Sequence, residues 1–194
     1  MPTGRTGAIA YALVTASYDE NTALSTYVSA IPAQNWNWVR TTAPTIALNE
    51  TVDVFPPEVG GGIIPTGAFK GGMSSAGEIP LILRLQDNLG WLLRATAGVA
   101  SASAGPGTGG MYRHTFKFNT ADKGAAGMLA IRKLMMASAT ADKIGETYVD
   151  CVINRFRLEL PQSGLVRGAF GVQGRHCLIS ENPNWTPVYT NESM

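Results

Sequence analysis

Apolar and polar residues alternate between Gly145 and Arg175, in the stretch GETYVDCVINRFRLELPQSGLVRGAFGVQGR. Successive side chains of a strand point to opposite faces, so this alternation predicts a long β-hairpin. One parity of the first strand is apolar: Val152, Phe156, Leu158 and Leu160. The residues PQSG, 161–164, are expected to form a four-residue turn, with Gly164 available for positive φ. The return strand is predicted to point three apolar side chains inward: Val166, Phe170 and Val172.

The other parity of the hairpin forms a predicted outward face that is mostly charged: Arg155, Arg157, Glu159, Arg167, Gln173 and Arg175. A solvated strand face with cross-strand ion pairs and a surface that faces nucleic acid fit this pattern about equally well, since exposed pairs contribute little free energy. Aromatic side chains that stack on bases are missing from the predicted face. Their absence argues against sequence readout there.

Period-two spacing predicts three further extended segments. Trp36 and Trp38 fall on one face of such a segment, TIALNETVDVF at 45–55 is rich in β-branched residues, and MYRHTFKF at 111–118 puts its aromatic residues on one parity. Residues 56–77 contain seven glycines and three prolines and are expected to form a loop or a long bent hairpin. A second loop of small residues is expected at 99–110.

One short amphipathic helix is predicted at about Asp87 to Ala97, because its leucines have helical spacing: Leu89, Leu92 and Leu93. Asp87 is a candidate N-cap, Arg94 lies in the last turn, and Gly98 is a candidate for the position after the C-cap. Residues 128–137 are ambiguous, since alanine, leucine and methionine favour a helix while the length also fits a strand.

Composition narrows the function classes. The 194 residues fit one domain that folds without disulfides, and only 15% are charged, against about 25% in ordinary domains, so much of the surface is expected to be covered. A formal net charge of +1 excludes a strong whole-chain attraction to nucleic acid, membranes or acidic substrates. Cys151 and Cys177 are expected to be reduced thiols of a protein made in the cytosol, and no segment has the ~20 apolar residues of a membrane span.

Candidate catalytic and binding motifs are weak. GPGTGG at 105–110 matches the glycine pattern of a dinucleotide site, but a small-residue stretch precedes it and a strand follows, the reverse of the required order. His114 and His176 lack the partners that a metal site needs, and no serine lies in a G-x-S-x-G elbow. We therefore expect no enzyme activity, no cofactor, no metal and no small-molecule substrate.

The hairpin resembles the tail tube (major tail) proteins of long-tailed, non-contractile bacteriophages. Their pattern has a glycine-preceded strand, a turn ending in glycine and a return strand that closes on aromatic-x-x-x-glycine, here Phe170 and Gly174. Upstream, GAFKGGMSSAGEIPLILRLQDNLGWLLRATAG is similar to the family's strand that enters a short helix, with Leu92, Leu93 and Gly98 in its closing positions. The resemblance covers roughly Ala47 to Arg175.

The resemblance implies a mainly β fold, a β-sandwich or half-barrel of the tail-tube type with one short flanking helix and long loops. It implies a single domain at 1–194, with an N-terminal arm at 1–47, a β core at 48–176 that contains the helix at 87–97, and a C-terminal extension at 177–194. By the same analogy 128–137 is a strand.

The resemblance also implies partners. Subunits close into hexameric rings that stack, with tape measure protein or DNA in the lumen and other tail proteins at the ends, in a virion tail whose subunits are made in the host cytoplasm. The charged face of the hairpin is then expected to line the channel or to meet a neighbouring subunit. A long loop bridges rings, and the candidate residues are Pro56, Pro57, Glu58, Gly60, Gly61, Gly62, Ile63 and Ile64. No membrane is involved.

Two alternatives fit the sequence. A tail terminator, an adaptor or a capsid decoration protein shares a small β-rich fold. A carbohydrate-binding β-sandwich would instead use aromatic side chains: Trp36, Trp38, Trp91 and Trp185.

Overall fold

A computed structural model describes residues 7–14, 16–54, 68–83, 89–104, 112–118, 128–136 and 143–189. These residues form strands and helices in the order β1 (Ala8–Val14), α1 (Leu24–Ala30), β2 (Asn37–Val39), β3 (Ala47–Val54), β4 (Ala68–Ile82), α2 (Leu89–Ala97), β5 (Gly98–Ala104), β6 (Tyr112–Phe118), β7 (Met128–Met136), β8 (Lys143–Glu159), β9 (Arg167–Gly174) and β10 (His176–Glu181). A short 3-10 turn, Ala33–Asn35, precedes β2.

The main sheet is antiparallel, with the order β2-β1-β7-β8-β9-β4-β3, and β10 pairs with β8 beside it. The long strand β8 joins its two halves. Its N-terminal half pairs with β7 and β10, and its C-terminal half pairs with β9. Strands β5 and β6 form a separate pair. The expected mainly β architecture is confirmed.

The predicted hairpin is present as β8 followed by β9 and β10, but its inward parity was wrong for part of β8. A β-bulge between Ile153 and Arg155 adds one residue, so Ile153 faces the core before the bulge and Phe156 faces it afterwards. Val152 therefore lies on the opposite face from Phe156 and is 42% exposed. Leu158 and Leu160 are exposed because they lie towards the tip of the hairpin.

The return strand follows the prediction more closely. Phe170 and Val172 are buried and Val166 is half-buried, whereas Arg167 and Gln173 are exposed. Gly164 has a φ of 116°, the positive value expected for the turn. The connection is longer than the predicted four residues, because residues 160–166 separate the paired ends of β8 and β9.

The largest apolar cluster lies on one face of the main sheet. Strands β1, β7, β8, β9 and β4 contribute to it, and its fully buried large side chains include Tyr11, Ile131, Tyr148 and Phe170. Helix α2 adds Leu92 and Ala95 to the same cluster. Burying each large apolar side chain contributes roughly 1.5–3 kcal/mol. The helix is thus held by its leucine side, as its spacing predicts.

The two ends of the chain are built into the sheet. Residues 1–47 were expected to form an arm, but β1 lies between β2 and β7, and its sequence AIAYALV is buried on both faces. The expected extension at 177–194 likewise begins inside β10. An apolar residue at nearly every position suits a strand covered on both sides, which explains the position of β1.

Several local predictions are settled. Helix α2 at Leu89–Ala97 and the positive φ of Gly98 agree with the prediction, whereas Asp87 lies outside the described residues. Residues 128–136 form a strand, as the resemblance implied. A loop was expected at 99–110, yet residues 99–104 lie in β5, whose backbone pairs in a regular ladder with β6. Helix α1 was not predicted.

Candidate assembly surfaces

One broad face of the sheet carries most of the predicted charged residues. We call it the open face, the outward side of β8, β9 and β4 that presents Arg155, Arg157, Glu159, Arg167, Ala169, Gly171, Gln173, Glu78 and Pro80. The ladder register places Arg157 beside Ala169, and Ala169 beside Pro80. In its middle, at Ala169 and Gly171, strand β9 therefore offers small side chains between two rows of larger ones.

The small residues make a trough along β9. A Cβ atom at Gly171 would lie 2.8 Å from Oδ1 of Asn154 and 3.1 Å from Cβ of Arg155, so a larger residue there would displace these side chains. Two shallow cavities follow the trough, one of about 290 Å³ between Arg157 and Pro80 and one of about 480 Å³ between Arg155 and Glu78. The trough offers room for a segment of another molecule.

The charges of the open face are paired with one another. The guanidinium of Arg155 forms an ion pair with Glu78, and Nε of Arg157 lies 3.4 Å from Oε1 of Glu159. These side chains are largely exposed, so each pair contributes about 0–1 kcal/mol. Three arginines, including Arg167, face two glutamates, which leaves one net positive charge. The face is nearly neutral although arginine dominates its sequence.

The structure separates Arg175 from this set. Arg175 lies between β9 and β10, and its Nη2 donates to Oε1 of Glu20 at 3.0 Å. Nearby, the backbone N–H of Tyr18 donates to Asp150, which has a positive φ of 52°. Arg175 therefore fastens the segment after β1 to the sheet.

The segment 41–46 forms the rim of the open face on the β4 side. The N–H of Thr42 donates to the carbonyl of Pro80 at 3.2 Å, and that of Thr45 to the carbonyl of Glu78 at 3.0 Å. A Cβ atom at Gly77 would lie 2.4 Å from Cα of Ile46, so this close approach requires glycine. Lys133 holds Ile46 from the core side, through a 2.9 Å bond from its Nζ to the carbonyl.

A second candidate surface is the projecting hairpin, formed by β3 and residues 68–74 of β4. Residues 75–82 of β4 pair with β9, but residues 68–74 pair within the described structure only with β3. Val52 and Val54 are 54% and 58% exposed. The predicted bridging residues 56–64 fall between β3 and β4 in the sequence and lie outside the described residues. Paired apolar exposure on a hairpin was not predicted from the sequence.

Titratable residues elsewhere do not form a recognisable site. His114 is exposed and His176 is half-buried, and the part of the chain that is described contains no cluster of three metal-ligating side chains. Cys151 and Cys177 are free, and burial raises the pKa of the Cys177 thiol to about 11. Burial raises the pKa of Cys151 further. No helix in the described residues is long and apolar enough to cross a membrane.

The tryptophans of the carbohydrate alternative are mostly part of the packing. Trp36 and Trp38 are each 7% exposed and lie in the same apolar cluster, as their shared parity predicted. Trp185 packs against that cluster, and the side chain of Trp91 lies outside the described residues. Sugar stacking needs an accessible ring face, so Trp36 and Trp38 do not provide such a site.

Comparison with one solved structure supports the fold, and two further structures match less closely. The chain is similar to a protein of the anti-feeding prophage baseplate, with a TM-score of 0.52, 7% identity and coverage of 92% of this chain and 94% of that one. A chain of the SPP1 tail tube matches with a TM-score of 0.49, 10% identity and coverage of 91% and 77%. An Hcp protein matches with a TM-score of 0.31, 10% identity and coverage of 90% and 98%.

No curated protein matches the sequence. A family model described as phage tail tube protein matches residues 4–188, nearly the whole chain. This match includes the hairpin, helix α2 and the two terminal strands that the resemblance did not cover. The chain belongs to the phage tail tube protein family, and is therefore a structural subunit of a virion tail.

Proposed function

We propose that this subunit associates with further copies of itself into hexameric rings, and that the rings stack into a tube that guides DNA during ejection. The observation that carries the proposal is the projecting hairpin, where residues 68–74 of β4 pair with β3 alone among the described strands and Val52 and Val54 are exposed. Edges of this kind pair with other chains, and in a monomer they favour aggregation. A partner strand from another copy satisfies them.

We assign the projecting hairpin to the contact between subunits and the open face to a separate role. A closed ring needs a heterologous contact, in which one patch of a subunit meets another patch of its neighbour. Residues 56–64 come shortly after the exposed end of β3 in the sequence and are the proposed bridge between successive rings. Tape measure protein, DNA and other tail proteins are the further proposed partners. The work is non-enzymatic and needs no cofactor, and synthesis takes place in the host cytoplasm.

The proposed position of the open face is the channel wall. DNA is held by unpaired cations, so a surface that lets it slide should carry little net positive charge. The ion pairs Arg155–Glu78 and Arg157–Glu159 provide this within each subunit. The small side chains of β9 add a smooth wall.

Electron microscopy of the purified subunit tests assembly, and rings or tubes are the expected result. Monomers that form neither at high concentration, together with absence from the tails of phage particles, would contradict the proposal. Copy number per particle separates a tube subunit, present in many rings, from a terminator or adaptor that forms one.

The double variant Arg155→Glu, Arg157→Glu tests the channel position. Tubes of normal appearance with altered DNA ejection are the expected outcome. Loss of rings would instead place the open face at the contact between subunits. Arg113→Glu, Lys117→Glu, an equal charge reversal at exposed residues of β6, serves as the matched control and should leave both assembly and ejection unchanged.

A further inference from the structure

The last described segment of the chain, Asn182–Tyr189, is held in an unusual way. The N–H of Asn182 donates to the carbonyl of Lys143 at 2.8 Å, and its φ of 47° turns the chain away from the edge of β10. Residues 183–189 form neither helix nor strand. Even so, Trp185 and Tyr189 pack against a buried cluster. Side chains rather than a strand ladder hold this segment in place.

The cluster beneath the segment is the alanine face, which lies opposite the main core: Ala8, Ala10, Ala12, Ala130 and Leu134. Its small side chains give β1 and β7 a flat surface. Trp36 and Trp38 cover one part of it, and the C-terminal segment covers another. Without this cover, the tryptophans, alanines and Leu134 would form a contiguous exposed apolar patch, which promotes association between molecules.

Gly145 forms the bottom of a socket for Trp185. The register places Gly145 beside Leu134 on the same face. A Cβ atom at Gly145 would lie 2.5 Å from Cζ3 of Trp185 and 2.8 Å from Cγ of Pro183. Real Cβ atoms do not approach ring carbons this closely, so even alanine would push both residues outward. The indole therefore occupies space that only a glycine leaves free.

Arg132 forms the wall of the socket. Its guanidinium carbon lies 3.8 Å from the ring centre of Trp36 and 4.6 Å from that of Trp185, so the cation lies between two indoles. Among the described residues, Nε of Arg132 and Nε1 of Trp36 are buried without a hydrogen-bond partner. The rings are then the main partners of this cation, an arrangement worth more when water is excluded. Arg40 lies 5.5 Å from the ring of Tyr189 and provides a weaker second contact.

We propose that Asn182–Tyr189 is a clasp that closes on the alanine face of its own chain, with Trp185 as its anchor, and that closure keeps this face from associating with other copies. In the described structure Asn182 bonds to the backbone of Lys143 and residues 183–189 belong to no strand ladder, so these residues can leave the alanine face without disturbing the sheet. Its free energy of closure comes from two aromatic side chains and two arginines. This role is independent of tube assembly and would exist in an isolated subunit.

The first test asks whether the clasp binds the alanine face when it is supplied as a separate peptide. A chain that ends at Asn182 is mixed with a fluorescein-labelled peptide of residues 182–189, and binding is followed by fluorescence anisotropy. We expect saturable binding, at least tenfold weaker for a peptide with Trp185→Ala. We also expect the shortened chain to self-associate in size-exclusion chromatography and the peptide to reverse this. Equal binding of the two peptides, no binding, or a shortened chain that stays monomeric would overturn the proposal.

A second test uses the full chain and does not depend on folding of the shortened one. The four tryptophans are labelled with 5-fluorotryptophan, and the ¹⁹F resonance of Trp185 is assigned with Trp185→Phe. Gly145→Ala should move the resonances of Trp185 and Trp36 to solvent-exposed positions and leave that of Trp38 in place. Gly7→Ala, where a Cβ atom meets only an ordinary 3.7 Å contact, is the matched control. An unchanged Trp185 resonance, or a change in all four together, contradicts the clasp.

Discussion

The alanine face and the open face both have small residues on their middle strands, but different side chains surround these residues. In both, middle strands present small residues, Ala10 and Ala130 on one face and Ala169 and Gly171 on the other. The chain covers the alanine face with aromatic side chains from its own ends, whereas in the described residues Ala169 and Gly171 of the open face lie between flanking side chains that are largely exposed, Arg155 and Arg157. A floor of small residues is thus a place for an occupant, and where the chain supplies none, another molecule is expected.

The arginines show the same contrast. Arg132 on the alanine face lies between two indoles, and burial lowers its pKa to about 10. Arg155 and Arg157 on the open face lie in water, beside carboxylates. A half-buried cation between aromatic rings contributes to stability through those rings. A solvated ion pair neutralises surface charge and contributes little to stability.

The largest expected difference between the two faces is in how much a substitution lowers the free energy of unfolding. Trp36→Ala removes a buried indole from the alanine face and should lower the free energy of unfolding by roughly 3–5 kcal/mol. Arg157→Ala on the open face should change it by at most about 1 kcal/mol. Urea unfolding followed by circular dichroism measures both. Similar losses in the two variants would mean that the faces do not differ in this way.

Filling the trough should affect DNA passage more than folding or assembly. Gly171→Val places its side chain against Asn154 and Arg155, whose exposed ends can move, so we expect a loss of about 1 kcal/mol. Tubes counted in negative-stain micrographs should form in normal yield, while DNA ejection from phage particles should slow, because the trough lies on the proposed channel wall. Ala169→Gly, which removes volume from the same floor, should leave both unchanged. A Gly171→Val subunit that forms no tubes would instead place the trough at a contact between subunits.

A substitution on the projecting hairpin should have little effect on the free energy of unfolding. Val54 is 58% exposed, so Val54→Lys should change the free energy of unfolding by less than about 0.5 kcal/mol. Assembly should nevertheless fail, because a buried lysine replaces an apolar contact between copies. Light scattering of concentrated subunits measures it. Val188→Lys, at a valine of the clasp that is 71% exposed, is the comparison, and equal effects of the two changes would remove the special role of the hairpin.

The smallest expected effect concerns pH. Cys177 packs on the core side of the sheet, opposite the alanine face, and burial raises its pKa from 9.0 to about 11. Between these values the unfolded chain loses the thiol proton while the folded chain keeps it, so stability should fall as pH rises from 9 to 11. Cys177→Ala should make this part of the pH profile flatter in thermal unfolding measurements.

The same thiol reports on the clasp. Alkylation by iodoacetamide requires the thiolate, so Cys177 should react slowly at neutral pH, and the more deeply buried Cys151 more slowly still. Gly145→Ala should leave both rates unchanged, because the clasp lies on the other side of the sheet. Faster alkylation in that variant would mean that opening the clasp loosens the whole sheet.

The sequence predicted the elements whose apolar residues recur with the period of a strand or of a helix. The long hairpin, helix α2 and β6 are of this kind, because these periods and the turn residues can be seen within a short stretch of sequence. β5 was missed because its glycine, alanine and serine residues give no periodic contrast, and only pairing with β6 makes them a strand. β1 was expected to belong to an arm, because the residues that bury it lie far away in the sequence and leave no local pattern.

The candidate surfaces were predicted less well than the fold. Alternation identified Arg155, Arg157 and Glu159 as outward residues, but their neutralisation depends in part on Glu78, which is distant in sequence. The socket of the clasp unites Trp36, Arg132, Gly145 and Trp185 across 150 positions. Local patterns hold no information about such long-range partners. Trp36 and Trp185, far apart in the sequence, were the only local sign of the socket, and the sequence placed them in the carbohydrate-binding alternative.

The bulge at Asn154 has a consequence for how this family can change over time. Asn154 is the extra residue of the bulge, and its neighbours Ile153 and Arg155 already pair with consecutive residues of β9, Val172 and Gly171. Deleting Asn154 would therefore straighten β8 but leave Phe156 in the core and Arg157 on the open face. Deleting a regularly paired residue beyond the bulge, such as Arg157, would instead exchange the inner and outer sides of the rest of the strand. Deletions among functional descendants should therefore be found at the bulge and in the turn at 160–166, and not between them.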